Sequence, residues 1–539
     1  MNKNWKIILS LLKKRGLITK KDQVEFLNPT NPEKIKLKDL KISKIQVAKA
    51  ISRIKQAIKN QELIYIYGDY DTDGVSATAI LWEALNFLGA KVLPYIPVRN
   101  DPVRGLSPTG IGSLKDHPSL IITVDNGISA FKGCEFAKKL GIDVIITDHH
   151  LPQHRQGKVH LPPALTIIHT TELAGAGVAW FFSREILKSL NTKSYMLNTI
   201  LDLAALGTIA DMVPLIGPNR SLVKFGLQQL RQTQRFGLKA LAKVAGLDLT
   251  NISEHQVSFI FAPRLNAMGR MEHALNSLRL VCTKDKERGE KLAKHLGEIN
   301  QLRQDKTLTM FLDAKKKWLT TNQKKALIFV ADKSYHEGVV GLVAGRLAEE
   351  FHHPSVVIAL GKNYSKASIR SIKGFNAIKN IRSLERYLLE HGGHELAAGF
   401  TIDNKNIKLV QKKLENLAQT QLSGNQLQPV IEIDCEIKLS DITWDLMADL
   451  EKLRPFGFGN SEPVFCTSQV KLINFRPVGQ DNKHLKLRLE KFSGIAFNQG
   501  YLADKLTPGQ LVNIAYTLEK NEWHNKKELQ LKIKEIITT

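Results

Sequence analysis

Three apolar runs in the first part of the 539-residue chain end in acidic residues. Residues 63–67 lead into Gly68-Asp69-Tyr70-Asp71-Thr72-Asp73-Gly74, residues 120–124 into Asp125-Asn126-Gly127, and residues 144–147 into Asp148-His149-His150. Apolar runs that alternate with helical stretches predict a parallel α/β sheet. The carboxyl ends of parallel strands share one edge, and ligands bind in the crevice outside it. The sequence therefore predicts an open parallel sheet that gathers these acids and histidines along one edge.

Carboxylates gathered this closely repel one another and raise each other's pKa, so the cluster requires cations. Oxygen and imidazole ligands without thiolate suit Mn²⁺ or Mg²⁺, and two such ions ~3.5–4 Å apart form a clamp for phosphoryl displacement. Asp211 is a further candidate, because it is the only acid between Asp202 and Asp248. Each segment alone has a bland explanation, since Asp125 could open a turn and Asp148 could cap a helix. Their joint occurrence favours a metal cluster.

The rest of the chain divides into segments with different patterns of apolar and charged residues. Residues 287–316 are typical of one long charged helix, and a second α/β pattern follows with strands near 326–331, 355–360 and 366–370. We predict an N-terminal basic helical lead, a parallel-sheet core, a helical connector with the long helix, a second α/β domain, a connecting segment and a small barrel. Their predicted bounds are 1–45, 46–222, 223–315, 316–425, 426–463 and 464–539.

The C-terminal segment contains short alternating runs separated by turn signals, which favours an OB-fold barrel. These runs are 464–475, 483–490, 493–498, 511–519 and 528–536. Phe475, Phe492, Tyr516 and Trp523 interleave there with Lys471, Arg476, Lys486 and Lys491. Stacking combined with charge is how OB-folds hold single strands. The aromatic side chains could equally form the barrel core, and the sequence leaves both interpretations open.

The charge balance points to a polyanionic partner. The chain has 77 Lys and Arg against 52 Asp and Glu, which gives a net charge of +25. Such a surplus favours nucleic acid, with a generally basic surface as the alternative. No apolar run is long enough to span a bilayer, so we expect no membrane association. The 4 cysteines are far apart without a C-x-x-C pair, which fits a reducing cytoplasm and argues against disulfides and structural zinc.

The motifs resemble those of the DHH phosphoesterase superfamily and, within it, the RecJ exonucleases. The core motifs are Asp69 to Gly74, Val124 to Gly127, Asp148-His149-His150 and Gly207 to Asp211. The resemblance continues through Pro263-Arg264-Leu265-Asn266-Ala267-Met268-Gly269-Arg270, Tyr335 to Gly341, Gly392 to Gly399 and Pro455-Phe456-Gly457-Phe458-Gly459-Asn460. It implies a DHH core, a DHH-associated α/β domain joined by the long helix, and an OB-fold.

The resemblance also implies a division of the metal ligands. Asp69 and Asp71 would hold one cation, Asp73 and His149 the other, with Asp125 bridging and Asp211 completing the set. Tyr67 stands where several smaller DHH phosphatases carry a histidine. His150 would face the scissile phosphate as a catalytic residue, and Asp148 would orient a histidine.

Phosphate contacts follow from the same resemblance. They are Ser368 and Arg370 for a terminal 5′ phosphate, with Arg99 opposite, and Arg264, Asn266, Arg270, Gly393 and His394 along the strand. The last two could be only part of a glycine turn. Residues 99–108 and the segment between His150 and Gly175 depart from the family pattern, which affects loops near the substrate path and not the metal ligands.

The resemblance implies two-metal hydrolysis of single-stranded DNA to 5′-mononucleotides in DNA repair and recombination, and the 5′→3′ direction rests on the resemblance alone. We expect a cytoplasmic monomer, with a single-strand-binding protein and a helicase as candidate partners. The alternatives are a phosphodiesterase of oligoribonucleotides or cyclic dinucleotides, a pyrophosphatase and a non-catalytic DNA-binding scaffold. The C-terminal barrel disfavours the first two, and the complete set of acids disfavours the third.

Overall fold

The computed structural model describes residues 3–98, 105–155, 157–192, 195–320, 325–523 and 526–538. The chain forms two compact units. Unit 1 comprises Met1–Ala262, Val281–Lys284 and Ile431–Thr539, and unit 2 comprises Pro263–Leu280 and Asp285–Val430. Every helix in the described ranges is too short or too polar to cross a membrane.

The first part of unit 1 alternates strands and helices. Its strands are β1 (Ile64–Tyr67), β2 (Val92–Tyr95), β3 (Leu120–Val124), β4 (Asp143–Asp148), β5 (Gln153–Arg155), β6 (Lys158–His160) and β7 (Thr166–His169). Its helices are α1 (Lys3–Lys14), α2 (Lys20–Leu27), α3 (Lys44–Lys59), α4 (Thr72–Phe87), α5 (Pro108–Gly112), α6 (Phe131–Lys139), α7 (Gly175–Ser189), α8 (Tyr195–Thr199), α9 (Leu201–Ala210), α10 (Gly217–Arg231), α11 (Phe236–Val244) and α12 (Glu254–Gln256). A π-helical turn, Val257–Phe261, follows α12.

The first sheet is parallel, as predicted, with the strand order β2-β1-β3-β4-β7. Strands β1 and β3 are buried along their whole length because helices cover the sheet. Helices α4 and α9 are apolar on nearly all sides and are buried accordingly. The strand order reverses between β1 and β3, and such a switch point is where open α/β sheets bind ligands. The β5–β6 hairpin was not predicted, because its residues are polar and few.

The second unit contains the long helix and a mixed sheet. Its helices are α13 (Ala262–Met271), α14 (Leu275–Cys282), α15 (Lys286–Thr320), α16 (Val340–Phe351), α17 (Ala377–Arg382) and α18 (Ile407–Gln421). Its strands are β8 (Ile328–Asp332), β9 (Ser355–Ala359), β10 (Tyr364–Arg370), β11 (Leu388–Gly393) and β12 (Ala397–Asp403).

The long helix and the first three strands of this unit were predicted, whereas β11 and β12 were missed. Glycines and an exposed face conceal the strand pattern there. The sheet order is β11-β12-β10-β9-β8, and only the β8–β9 pair is parallel.

The C-terminal part of unit 1 is a closed barrel, as predicted. Its elements are β13 (Cys435–Glu436), α19 (Trp444–Glu451), β14 (Phe465–Val478), β15 (His484–Leu489), β16 (Phe492–Ala496), β17 (Leu511–Trp523) and β18 (Lys526–Thr538). Pairing of β14 with β17 closes the barrel. Ile8, Leu11 and Leu12 of α1 belong to the same buried cluster as the barrel residues. The predicted domain bounds stay predictions, but the N-terminal helix shares a core with the barrel.

Candidate metal centre and phosphate contacts

The loop after β1 carries three aspartates that the start of α4 holds in place. Asp71 caps α4 and accepts hydrogen bonds from the N–H groups of Asp73 and Gly74, both at 3.0 Å. The buried Asp73 carboxylate accepts from the N–H groups of Gly175 at 2.6 Å and Ala176 at 2.9 Å, at the start of α7. Unpaired N–H groups at helix N-termini stabilise negative charge, so two helices position these carboxylates.

Asp125 and His149 follow the neighbouring strands β3 and β4. Asp125 has a φ of 61°, an uncommon value for a residue other than glycine, which marks a constrained position. His149 Nε2 lies 3.0 Å from Asp125 Oδ1, 3.7 Å from Asp211 Oδ2 and 3.9 Å from Asp73 Oδ2. Residues distant in sequence thus converge at the switch point of the sheet.

Three groups of these side chains are compact enough to hold a cation, with their ligand atoms within 4.8 Å of one another. They are Asp69 with Asp71 and Asp125, Asp73 with His149 and Asp211, and Asp125 with His149 and His150. The first two groups share no residue. Asp125 belongs to the first and the third group, and the division of these residues between two cations stays a prediction.

The electrostatics of the cluster fit cations. Burial, together with the charge of Asp71, raises the pKa of Asp73 to about 7. Burial, and then the charges of Asp73 and Asp71, raises the pKa of Asp211 to about 9. The pKa of Asp125 is also raised well above its ordinary value by burial and by four neighbouring aspartates. Because these carboxylates repel one another when ionised, divalent cations with oxygen and imidazole preferences suit the site.

Asp148 and His150 form a hydrogen-bonded pair, and His150 also belongs to the third cation group. Asp148 Oδ1 lies 2.8 Å from His150 Nδ1, and Oδ2 accepts from the N–H of Ile128 at 2.8 Å. Burial opposes the charge of Asp148, but these hydrogen bonds and the His150 charge outweigh it and lower the Asp148 pKa to about 2. Burial likewise lowers the His150 pKa, whereas the bond and charge of Asp148 raise it to about 9. This geometry fits the predicted orienting role of Asp148.

Tyr67 is the last residue of β1 and is fully buried. The ring is buried in a cluster with Tyr65, Leu106 and Ile111, and its centroid is 4.9 Å from that of Tyr95. Tyr67 therefore occupies a core position, and Asp69 is the first polar residue of the loop to join a cation group.

In unit 2, Ser368 and Arg370 lie on β10 beside the first turn of α16. Arg370 Nη1 donates to Ser368 Oγ at 2.9 Å. A Cβ on Gly341 would be 3.0 Å from Arg370 Nη2 and 3.1 Å from Ser368 Oγ, so glycine permits this close approach. The arrangement brings a guanidinium, a hydroxyl and a helix N-terminus together, which is chemistry suited to a phosphate.

The other predicted phosphate contacts of unit 2 lie on α13 and at the end of β11. Arg264, Asn266 and Arg270 are half-buried on α13, and Arg270 Nη1 donates to the Gly338 carbonyl at 3.2 Å. These three contacts stay predictions.

The segment around Gly393 forms the hairpin turn from β11 to β12. Gly393 has a φ of +139°, and the His394 N–H donates to the Ala397 carbonyl at 2.7 Å. That amide is engaged within the turn, which shows the glycine turn. Arg99 lies outside the described residues. The phosphate contacts of Gly393, His394 and Arg99 stay predictions.

Two arginines near the α13 group were not predicted. Burial lowers the pKa of Arg303 on α15, and the charges of Arg346 and Arg264 lower it further. An anion placed among the three arginines would relieve that repulsion. Arg303 and Arg346 belong to ordinary amphipathic helix patterns, so the sequence contains no signal that would have singled them out.

The structure shows where three of the four aromatic residues of the barrel lie. Phe492 and Tyr516 are buried in the barrel core, and Tyr516 is 0% exposed. Phe475 is partly buried against the same core, and the side chain of Trp523 lies outside the described part of the chain. The basic side chains face outward, while the three described aromatic residues serve mainly the core. The exposed basic residues are Lys471, Arg476, Lys486 and Lys491.

The comparisons with known proteins agree with this architecture. Residues 63–208 match the DHH family, N-terminal domain, residues 323–420 the DHHA1 domain, and residues 433–535 the RecJ OB domain. The single-stranded-DNA-specific exonuclease RecJ of Bacillus subtilis is 36% identical over 545 residues, covering 98% of this chain and 67% of the relative. The chain belongs to the RecJ family.

A second RecJ relative, from Haemophilus influenzae, is 32% identical and covers 90% of this chain and 89% of its own length. The crystal structure of RecJ in complex with Mn²⁺ from Thermus thermophilus matches with a TM-score of 0.84 and 30% identity, covering 98% of this chain and 75% of that one. The predictions of a RecJ-family hydrolase, of its α/β and OB-fold architecture and of divalent-cation binding are confirmed.

Proposed function

We propose that this chain is a metal-dependent exonuclease that hydrolyses single-stranded DNA from the 5′ end and releases 5′-mononucleotides. The observation that carries the proposal is the convergence of Asp69, Asp71, Asp73, Asp125, His149 and Asp211 into compact groups at the switch point of the first sheet. Nuclease chemistry requires charge compensation at a phosphate, and a buried acidic cluster supplies it only together with cations.

The cations fit two sites built from these residues. Asp69 and Asp71 would hold one cation, and Asp73, His149 and Asp211 would hold the other, with Asp125 close to both groups. When bound, two divalent cations activate water and neutralise the charge that develops on the phosphate. Hydrogen bonds from Gly175 and Ala176 hold Asp73, so this ligand is positioned before substrate arrives.

His150 is the proposed catalytic proton donor. Its Nδ1–H donates to Asp148, which leaves Nε2 as the atom that can place a proton on the departing 3′ oxygen. The Asp148 charge keeps His150 protonated near neutral pH, as the raised pKa of about 9 indicates. Asp148 acts through His150 and is a positioning residue.

Phosphate recognition is assigned to unit 2. Arg370 and Ser368 supply charge-assisted and hydroxyl hydrogen bonds for a terminal 5′ phosphate. The contact of Arg99, which is not part of unit 2 and lies outside the described residues, rests on the family resemblance alone. The proposed contacts to the strand backbone are Arg264, Asn266, Arg270 and His394. We further propose that the protein works as a cytoplasmic monomer in DNA repair and recombination, with a single-strand-binding protein and a helicase as partners.

One assay tests the proposal. Single-stranded DNA labelled at the 5′ end is compared with the same strand labelled at the 3′ end, with duplex DNA and with RNA, in Mn²⁺, in Mg²⁺ and in EDTA. We expect labelled mononucleotide at once from the 5′-labelled single strand, a slowly shortening ladder from the 3′-labelled strand, and no cleavage in EDTA. Cleavage in EDTA, or mononucleotide released first from the 3′ label, contradicts it.

A further inference from the structure

Unit 1 contains a groove of about 1050 Å³ that the proposed mechanism does not use. Its lining comes from the end of α9, from α10, from α12 with the π-helical turn, from the segment 451–462 and from the barrel strands β17 and β18. Ile209 and Met212, the lining residues at one end, flank the proposed metal ligand Asp211. The groove therefore comes close to the metal centre along the chain, although none of the proposed metal ligands lines it.

Buried polar groups fix one wall of the groove, the loop Pro455–Asn460. Arg220 is 1% exposed and donates to the carbonyls of Leu453 at 3.0 Å and Arg454 at 2.8 Å. Asn460, which is also buried, donates to the carbonyl of Pro455 at 2.7 Å. Glu254 accepts from the Phe456 N–H at 3.0 Å. Buried charges and amides satisfied in this way hold the backbone in one conformation.

Phe458 projects from this fixed loop with 60% of its surface exposed. Its carbonyl accepts from the Leu215 N–H at 2.7 Å, which ties the loop to the segment that follows Asp211. A Cβ on Gly457 would lie 2.7 Å from Leu215 Cδ1, so the two segments are in close contact. A rigid backbone that presents a large apolar ring to solvent is a feature of binding sites.

A second exposed ring lies on the π-helical turn. Phe259 is 67% exposed, and its ring stacks on that of His255 with centroids 4.6 Å apart and planes 29° apart. The turn leads into Ala262, whose carbonyl accepts from Thr72 Oγ1 in the metal-binding loop at 3.2 Å. Single π-helical turns occur frequently at functional sites. Both Phe259 and Phe458 line the same groove.

Two of the five Lys and Arg side chains that line the groove are paired with carboxylates. Arg454 lies 2.5 Å from Glu254 and 3.4 Å from Glu451, and Lys520 lies 3.7 Å from Glu451. Paired cations attract a phosphate chain weakly, whereas the aromatic faces remain accessible. The lining thus combines accessible aromatic faces with the basic side chains of Lys224, Arg231 and Lys532, and stacking combined with charge suits a single strand.

We propose that Phe259 and Phe458 stack against nucleobases of the strand being degraded and act as specificity-determining residues for single strands. This inference rests on the proposed function. In a duplex the bases are already stacked and paired, so only a single strand can offer a base to these rings. The groove adds base-dependent affinity without reading sequence, because every base has a flat aromatic face.

The test is a binding cycle in EDTA, where affinity is measured without cleavage. Fluorescence anisotropy gives Kd for a single strand of fixed length and for strands of that length with one abasic position moved along the chain. Removing a stacking ring costs ~1–3 kcal/mol per base, which corresponds to roughly 5- to 150-fold in Kd. We expect Phe458→Ala and Phe259→Ala each to raise Kd by that amount on the base-bearing strand.

The abasic strands separate stacking from structural damage. At the position that occupies the groove, base removal should weaken binding to the wild type but have little further effect on the alanine variants, because both changes delete one contact. Phe458→Trp should restore affinity, whereas Phe458→Leu should not. Tyr195→Ala is the matched control, because Tyr195 is 55% exposed and contacts Phe87 at the far end of the 16-residue helix α4.

The outcomes are distinct. Additive losses at every abasic position, or unchanged Kd in both alanine variants, overturn the base-stacking proposal whether or not the enzyme cleaves DNA. Absence of cleavage by the wild type in Mn²⁺ contradicts the proposed function instead, and the binding cycle still decides the groove. Equal loss of affinity in Phe458→Leu and Phe458→Trp also overturns stacking.

Discussion

The two sheets of the chain present their functional side chains in different ways. In the first sheet all neighbouring strands are parallel, and Asp69, Asp125 and His149 follow the carboxyl ends of β1, β3 and β4. In the second sheet β10 is antiparallel to both of its neighbours, and Ser368 and Arg370 lie within β10 itself. Parallel strands bring their carboxyl ends to one edge, whereas antiparallel strands do not.

The functional side chains of the two sheets also differ in the sign of the charge that they gather. The first sheet gathers buried carboxylates whose pKa values are raised, so the site is poorly stable as an anion cluster without cations. The second unit gathers arginines whose pKa values are lowered, in Arg264 by burial and in Arg303 by burial and by neighbouring arginines. One group suits cations and the other suits an anion, and a phosphate ester with its counterions carries both kinds of charge. The sign of the charge that each group concentrates therefore determines whether it suits a cation or an anion.

The largest expected effect comes from the first sheet. Asp125→Asn removes the carboxylate between the two cation groups, and we expect hydrolysis of single-stranded DNA to fall by about 10³-fold or more. Asp143→Asn is the matched control, because Asp143 begins β4 at the opposite end of the strand and pairs with Arg53 at 2.6 Å. Initial rates in Mn²⁺ measure the effect. A comparable loss of hydrolysis in both variants would contradict the assignment of the metal ligands to the carboxyl end of the sheet.

Metal removal should reveal the repulsion among the carboxylates. The raised pKa values of about 7 for Asp73 and about 9 for Asp211 mean that the metal-free folded chain keeps protons that the unfolded chain, with carboxyl values near 3.8, has released. The free energy of unfolding in EDTA should therefore fall as pH rises from 3.8 to about 9.

Mn²⁺ should reverse that fall, by ~2.7 kcal/mol at 100 times its Kd. Urea denaturation in EDTA and in Mn²⁺ on both sides of neutral pH measures it. Asp125→Asn should be more stable than the wild type in EDTA and gain less from Mn²⁺. A metal-free protein whose stability rises over this pH range would contradict the assignment.

Arg370→Ala tests the second unit. Loss of a charge-assisted hydrogen bond costs ~1.5–3 kcal/mol, so the preference for 5′-phosphorylated over 5′-hydroxyl DNA should drop by roughly 10- to 100-fold. Lys366→Ala is the matched control, because Lys366 lies on the same strand and pairs with Glu337 at 3.2 Å. Competition between the two substrates gives the ratio directly. A preserved preference in Arg370→Ala would place 5′-phosphate recognition elsewhere.

The smallest expected effect concerns exposed basic residues of the C-terminal barrel, which is separate from the two α/β sheets. Arg476 and Lys486 are exposed cross-strand neighbours on β14 and β15. If each neutralises one phosphate, the double alanine variant should flatten the slope of log affinity against log salt by about 1.4. Lys527→Ala should leave the slope unchanged, because Lys527 pairs with Glu522 at 3.5 Å. An unchanged slope in the double variant would mean that strand binding depends on the two α/β regions.

The sequence-based predictions succeeded where a single physical rule relates a residue pattern to a position in the fold. Alternating apolar runs predicted the first sheet, and the parallel-strand rule predicted that acids far apart in sequence meet at its edge. The same reasoning missed β11 and β12, where glycines interrupt the pattern. It also described Gly392-Gly393-His394 in two ways that only the hydrogen bond of the His394 amide to Ala397 distinguishes.

The amino-acid sequence alone identified the family, the candidate acids and histidines of the metal centre and the barrel, because local periodicity and motif chemistry encode them. The tertiary structure decided which aspartates share a cation group, since their ligand atoms must lie within 4.8 Å of one another. It also decided that Tyr516 is core, that Phe458 is presented to solvent and that Arg303 stands among other arginines. These properties depend on what packs around a side chain, and burial and electrostatic interaction are set by neighbours that the order of residues does not reveal.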